Sequence, residues 1–509
     1  MAFGRRRIQV SHIEFILGFS VLLYVFCNAV NIEKLAKWFY VKDELNNLAL
    51  AAYLLAGLCL FIALFALLAH RHILKPWAMV IAGLSAAVTY FIAKYNVAVD
   101  SSMVLNAVHT DATEMRQLLS MQMIPYAAGL IAVPAAMIWF VDVTFDPPRK
   151  YLLASLKLIA ISVIVAVASL YLNYTAILRA GNVSNKYIVH SLVPINFLSS
   201  SISVLSRTVK PYLAPKRKEV AIVGSVGAGD LVVVLAIGET SRRKNFSLYG
   251  YTGHITNPAL QPVDGLHLLN GLAKHGTTLD ALPEILEKKD IKLTAVTSKL
   301  GIPTSCYVNY TLYDNCEAVG ETAVSNCAHE DKCYDEDVIP LLAGNLKSYT
   351  SGHRFVVLHL GGGSHGPTYI DRYPPEFQRF QPICKDADVA NQCSLEQVYN
   401  SYDNSILYVD HVLNGIIGTL ESSHAPYVLI YLSDHGESLL EDGRMFHGMP
   451  PGIALPPEQA QIPLIVKSSV PINVVKRDEY SQPDVFDSVL DLFSIQTEMF
   501  DKSGAFIRR

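Results

Sequence analysis

Five long apolar stretches in the first third of this 509-residue chain constrain its architecture more than any other feature. They run near Ile13–Val30, Leu48–Ala69, Trp77–Val97, Met121–Val141 and Leu152–Leu172, each close to the roughly 20 residues a helix needs to cross a bilayer. Hydrocarbon offers no partner to a backbone amide, so runs of this kind cross as helices that satisfy their own N–H and C=O groups. Charge in the short connecting loops sets their direction. With the N-terminus taken as cytoplasmic, that side carries Arg5, Arg6, Arg7, Arg71, Lys75, Arg149 and Lys150, against Lys34, Lys37, Lys42 and Arg116 on the other. The bias predicts an N-inside topology in which everything after about Asn173 lies outside the cytoplasm. The run Arg5-Arg6-Arg7 reads as a retained orientation signal, because further spans follow it and no small-residue cleavage site does.

The rest of the chain has a different character. The 51% apolar and 17% charged composition is concentrated in the spans, and the net charge of -4 argues against nucleic acid as a partner, since backbone binding needs clustered Lys and Arg. The domain reading is residues 1–172 as a transmembrane domain, 173–219 as an interfacial bridging linker, and 220–509 as a water-soluble domain. Within the linker, Tyr187–Val209 mixes apolar residues with Ser and Asn in a pattern suited to lying along the interface, and Pro211, Pro215 and Lys216-Arg217-Lys218 mark the boundary. Cys27 and Cys59 fall in spans and read as packing residues. Cys306, Cys316, Cys327, Cys333, Cys384 and Cys393 all fall in the soluble part. An even number in an exported domain, with no C-x-x-C knuckle for zinc, predicts disulfides. Pairing between sequential neighbours closes the shortest loops.

From about Val220 the pattern becomes apolar runs of strand length alternating with helical stretches, which predicts an α/β domain with a mainly parallel central sheet. Leu231–Ile237 runs into Gly238-Glu239-Thr240. Phe355–Leu360 runs into Gly361-Gly-Gly-Ser-His365-Gly, and Tyr427–Leu432 into Ser433-Asp434-His435-Gly-Glu437. Leu293–Thr297 and Ile462–Val466 are shorter strand candidates. All three strong runs end in carboxylate or imidazole side chains beside glycine. In open α/β sheets, sites form outside the carboxyl ends of the strands, so three separate stretches converge on one place.

Glu239, Asp434 and His435 offer the oxygen and nitrogen donors of a catalytic metal site with a position left open. The imidazole favours zinc or manganese over magnesium. Three roles fit His365 and His447 equally: ligands to a second metal, donors to a phosphate oxygen, or proton donors to a leaving group. Lys274-His275-Gly276-Thr277-Thr278-Leu-Asp280 reads as a tight turn opening a helix, with Thr277 at the N-cap. Its threonines either cap the helix or present a hydroxyl where helix amides favour an incoming phosphate. Thr240, next to Glu239, competes as a nucleophile. Asn106, Thr110 and Glu114 recur at every fourth residue, forming one polar stripe on a helix that is either a solvated face or a binding surface.

These residues carry a resemblance. Gly238-Glu239-Thr240-Ser-Arg242-Arg-Lys-Asn245-Phe246-Ser247-Leu-Tyr-Gly250-Tyr251 resembles the first catalytic motif of the lipopolysaccharide phosphoethanolamine transferases, a family of the alkaline phosphatase/sulfatase superfamily that includes polymyxin-resistance enzymes. Gly363-Ser-His365-Gly-Pro-Thr-Tyr369, Arg372-Tyr-Pro, Tyr402-Asp403-Asn404, Ser433-Asp434-His435-Gly-Glu437 and His447-Gly-Met-Pro resemble its later motifs, in order. The resemblance spans nearly the whole chain. It implies a bacterial inner-membrane protein with five spans and a periplasmic catalytic domain. Its implied reaction moves phosphoethanolamine from phosphatidylethanolamine to lipopolysaccharide or another envelope acceptor. It further implies Zn2+ on Glu239, Asp434, His435 and a nucleophilic Thr277, substrate contacts or an additional zinc at His365 and His447, and donor-lipid contacts at Asn106, Thr110 and Glu114. One departure stands out. Family members flank the nucleophile with two cysteines, whereas this chain has His275 and Glu284 there and is one residue shorter to Pro283, which keeps Thr278 beside Thr277 as a nucleophile. A phosphoglycerol transferase or sulfatase on the same fold and a catalytically inactive scaffold are the rival readings. A sulfatase normally needs a C/S-x-P/A-x-R sequence, which the Gly276-Thr277 turn lacks.

Overall fold

A computed structural model of the chain describes residues 8–37, 39–41, 44–95, 97–109, 121, 123–175, 177, 190, 192–213, 222–308, 321–324, 334–361, 366, 369–386, 389–449 and 454–509. They fall into two compact units, one holding the helices through Leu213 and the other every element from Gly224 onward.

The first unit contains five helices long and apolar enough to cross a membrane: α1 (His12–Ala29), α2 (Asn47–Leu68), α3 (Leu74–Tyr95), α5 (Met123–Phe140) and α6 (Pro148–Leu172). They lie within a few residues of the five runs read from the sequence. Between α3 and α5 stands the short α4 (Ser101–His109), and the unit closes with α7 (Ile195–Leu213). The helix starts are written locally. Ser11 and Glu14 form a reciprocal capping box on α1, Glu14 N donating to Ser11 Oγ at 3.2 Å and Ser11 N to Glu14 Oε2 at 2.7 Å. Asn46 caps α2, and Pro148 opens α6 where a missing N–H costs nothing. Phe15, Phe19, Phe61 and Phe65 meet in the interior, the rings of Phe19 and Phe65 lying 5.0 Å apart. In contrast, Leu152, Leu156, Ile161, Ile164 and Val167 of α6 are exposed. An apolar face of that extent suits lipid as its solvent. Asn106 lies in α4, while Thr110 and Glu114 lie outside the described residues.

The second unit is built on an eight-stranded sheet. In chain order its strands are β1 (Leu231–Gly238), β2 (Leu266–Leu272), β3 (Thr304–Val308), β4 (Glu321–Val324), β5 (His353–His359), β6 (Tyr427–Ser433), β7 (Gln461–Ser468) and β8 (Tyr480–Ser481), arranged β4-β3-β5-β1-β6-β7-β2-β8. Every pairing is parallel except the two made by β7, which alone runs backward. The longer helices are α8 (Thr278–Leu286), α9 (Leu293–Lys299), α10 (Val338–Lys347), α11 (Leu395–Ser422) and α12 (Asp484–Leu492). All residues of β1 and β6 are buried, the mark of strands covered on both faces. On one face Leu231, Val233, Leu235 and Ile237 pack with Leu282, Ile285 and Leu286 of α8 and Val485, Val489 and Leu492 of α12.

One strand candidate is corrected. Leu293–Thr297 is the start of helix α9, and its buried residues Leu293, Thr294, Val296 and Thr297 follow helical spacing rather than alternation. Cys384 and Cys393 are joined, with Cα atoms 5.6 Å apart. Cys306 is also disulfide-bonded, whereas Cys316, Cys327 and Cys333 lie outside the described residues. Cys27 and Cys59 are free and buried.

Candidate metal centre

The register of two neighbouring strands builds the site. In the parallel pair β1 and β6, Gly238 stands opposite Ser433, so Glu239 leaves one strand beside Asp434 and His435 leaving the other. Gly238 permits this closeness, since a Cβ there would meet the Tyr431 hydroxyl at 2.6 Å. Asp434 Oδ1 accepts the backbone N–H of Thr240 at 3.0 Å and of His435 at 2.7 Å, which ties the two strand ends together. Thr240 reaches this bond with φ 53°, in the left-handed region, where a β-branched residue is strained by about 1–3 kcal/mol. The Tyr402 hydroxyl, donating to Thr240 O at 2.8 Å, helps hold it there.

Glu239, Asp434 and His435 are all buried, and one ligand atom from each lies within 4.8 Å of the others. His435 Nε2 is 3.3 Å from Asp434 Oδ2 and 3.7 Å from Glu239 Oε1. Asp434 Oδ2 and His435 Nε2 are buried with no hydrogen-bond partner. The other ring nitrogen, Nδ1, lies 3.1 Å from Gly436 O. A proton on Nδ1 satisfies that carbonyl and leaves an Nε2 lone pair turned toward two carboxylates. Burial pushes His435 down to about 4 and, with the charge of Asp434, holds Glu239 well above the usual carboxylate range. Donors of this kind, buried and facing one another, are costly without a cation between them. The donor set fits zinc with an open position: neutral imidazole plus two carboxylates.

The structure distinguishes the threonines. Thr278 Oγ1 lies 3.1 Å from each oxygen of Glu239, whereas Thr277 Oγ1 turns away to Asp280 Oδ2 at 3.0 Å. Thr277 is the N-cap residue of α8, but its side chain makes no cap hydrogen bond. Thr278, one residue on from the expected Thr277, therefore presents its hydroxyl to the cluster. Thr240 Oγ1 is buried without a partner, and its amide rather than its hydroxyl engages Asp434.

His447 comes to the same place. Its ring centre is 4.4 Å from that of His435, and its Nδ1 lies 2.8 Å from Glu437 Oε2. His365 lies outside the described residues. Sequence reasoning gave no roles to the residues behind this layer. Buried Glu437 orients His447. Buried Arg242 donates to Glu437 O at 3.2 Å, Glu441 Oε1 at 2.7 Å and Asn245 Oδ1 at 2.6 Å. Asn245 passes the network to Asp403, which also binds Tyr251 and His254 at 2.7 Å. The available signal was adjacency: Arg242, Asn245 and Glu437 all lie within the motifs that supply the cluster. Gln482, by contrast, stands far along the chain, and its amide donates to Asp434 O.

Residues 57–209 match a family model described as phosphoethanolamine transferase EptA/EptB, and residues 291–495 match the sulfatase model. The phosphoethanolamine transferase EptA of Salmonella typhimurium is 32% identical over 465 residues, 82% of each chain. That of Helicobacter pylori is 29% identical over 491 residues, 89% of each chain. Among solved structures, the integral membrane lipooligosaccharide phosphoethanolamine transferase A from Neisseria meningitidis shares the fold, with a TM-score of 0.84 over 98% of this chain and 99% of that one at 24% identity.

Proposed function

Because the chain belongs to the phosphoethanolamine transferase family, we propose that it moves phosphoethanolamine from phosphatidylethanolamine to a lipid A or core-sugar acceptor of the cell envelope, through a covalent intermediate on Thr278. The observation that carries this reading is the Thr278 hydroxyl, 3.1 Å from both Glu239 oxygens in a cluster whose Asp434 Oδ2 and His435 Nε2 are buried and unpartnered. Glu239, Asp434 and His435 would hold the zinc ion, which when bound makes a nearby hydroxyl more acidic and stabilises charge on phosphoryl oxygens.

The chain's own groups do the rest. Thr278 gives its proton to the Glu239 oxygen that it faces. Thr278 Oγ1 attacks the donor phosphorus, the bond to the diacylglycerol oxygen breaks, and His447, oriented by Glu437, delivers a proton to that oxygen. An acceptor oxygen then attacks the same phosphorus and gives its proton to His447, the bond from phosphorus to Thr278 Oγ1 breaks, and Thr278 takes its proton back from Glu239. Two displacements at one centre require that donor and acceptor enter in turn. We place the protein in a bacterial inner membrane with residues 220–509 in the periplasm, residues 1–172 spanning the bilayer and 173–219 bridging them. The stripe of Asn106, Thr110 and Glu114 is assigned to the donor lipid and His365 to the phosphoethanolamine group.

Mass spectrometry of zinc-loaded protein incubated with phosphatidylethanolamine tests the proposal. The expected result is a phosphoethanolamine adduct on Thr278, lost in Thr278→Ala and kept in Thr277→Ala. An adduct on Thr277 would reverse the assignment of the nucleophile, and one formed only from phosphatidylglycerol would replace the proposed activity.

A further inference from the structure

We infer that Glu284 is a positioning residue for the Thr278 hydroxyl, acting through a clasp with Lys274 and His275 that closes the turn carrying that hydroxyl. The inference rests on the proposed function only in treating Thr278 as the nucleophile.

The need for a clasp comes from α8 itself. The helix has nine residues, Thr278 is its first, and Pro283 lies inside it. Pro283 has no N–H to give the helix ladder, and a helix this short is marginal by itself. The N-cap side chain, which ordinarily fixes a helix start by accepting from the first amides, is engaged with Asp280 instead. Core packing of Ala281, Leu282, Ile285 and Leu286 holds the body of the helix, but those residues do not fix the turn in front of it.

Two ties bracket that turn. On the sheet side, Lys274 N donates to Gln482 Oε1 at 3.4 Å, and the same amide group of Gln482 donates to Asp434 O. On the helix side, Glu284 reaches back across the turn. Lys274 Nζ lies 3.2 Å from Glu284 Oε2, and His275 Nε2 lies 3.3 Å from Glu284 Oε1. One carboxylate near the end of α8 thus gathers both residues that precede Gly276-Thr277-Thr278. Gly276, between these ties, is closely packed by its neighbours, since a Cβ there would stand 2.9 Å from Gln459 Oε1 and 3.2 Å from Gly448 N.

Lys274 is 63% exposed, and His275 and Glu284 are about a quarter exposed at 28% and 25%. Ion pairs at such sites add little to global stability. Their effect is local, on where the Thr278 oxygen stands, and rates depend steeply on such placement.

The test uses the full-length protein in phosphatidylethanolamine-containing nanodiscs, with Glu284→Ala, Glu284→Gln and the swap Lys274→Glu/Glu284→Lys. Glu284→Ala should slow single-turnover adduct formation about tenfold at saturating donor, with half-saturation unchanged. Its melting temperature should stay within about 2 °C of the parent. Glu284→Gln, whose amide oxygen still accepts from Lys274 while its NH2 donates to the neutral His275 Nε2, should recover most of the rate. Hydrogen exchange at residues 276–280, read without any reaction, should quicken in Glu284→Ala and not in Glu284→Gln. Unchanged exchange in Glu284→Ala overturns the clasp. So does a rate loss that merely tracks melting temperature across all the variants. A parent protein that forms no adduct sinks the proposed function instead, while exchange still decides the clasp.

Discussion

Glu437 illustrates how much of this site depends on groups that never meet the reacting atoms. Its carboxyl is buried, and burial pushes it up despite the nearby His447 and Arg242. The carboxylate fixes which nitrogen of His447 points at the cluster, because Nδ1 is engaged with Glu437 Oε2 at 2.8 Å. Replacement by Gln keeps the shape and removes the charge. Under the role proposed for His447, Glu437→Gln should lower turnover about 10–100-fold, the cost typical of removing the hydrogen-bond partner of a metal-site imidazole, with the fold intact by circular dichroism. Steady-state transfer kinetics on the purified variant check this. Gly436, between His435 and Glu437, has a different constraint. A Cβ there would sit 2.1 Å from Glu458 O and 3.0 Å from Arg242 Cβ, and a backbone carbonyl cannot swing aside like a side-chain tip. Gly436→Ala should cost about 1–3 kcal/mol by overpacking and weaken zinc binding, because His435 moves with the backbone. A melting curve with and without added zinc reads both effects.

Among the elements, α11 carries ionisable groups deep into the fold. Asp410 on that helix accepts the amides of Ala259 and Leu260 at 2.7 and 3.0 Å, yet burial pushes it up to about 6. Raised above the ordinary carboxylate value, it binds more protons folded than unfolded, so its contribution to stability falls as pH rises between about 4 and 6. Asp410→Asn should remove that slope. The parent should lose about 3 kcal/mol relative to the variant across this window, measurable by urea unfolding at a series of pH values. Other elements were visible in the sequence to unequal degrees. β1 and β6 announce themselves because strands covered on both faces must be continuously apolar, and the polar residues that end those runs single out Glu239, Asp434 and His435 in the sequence. β2 is only partly buried, with Leu268 38% exposed and His267 and Asn270 in its run, so no apolar run marks it. β3 and the two-residue β8 likewise take strand form from their neighbours rather than from their own composition. The one-residue difference between Thr277 and Thr278 has a similar origin. Spacing locates a helix start, but which of two adjacent hydroxyls faces the sheet follows from how α8 docks on β1.

The molecule as a whole joins two solvents. The exposed leucine, isoleucine and valine side chains of α6 suit hydrocarbon, while the second unit has a buried core of its own between sheet, α8 and α12. That core predicts that residues 220–509 fold and bind zinc without the helices. It does not follow that they find their substrate equally well. Under the proposed function the donor is a diacyl lipid that stays in the bilayer, so a catalytic unit joined to membrane spans meets it at high effective concentration, while a free one must capture it from solution. The truncated protein should therefore form the Thr278 adduct with a short-chain, water-soluble phosphatidylethanolamine at nearly the full-length rate. On vesicles of long-chain lipid it should fall behind by about 100-fold, the lower end of the gain that tethering gives. Adduct mass spectrometry on both proteins with both donors makes the comparison. Equal loss on the two donors would mean that the membrane unit shapes the chemistry itself, and equal retention would mean that it does not deliver the lipid.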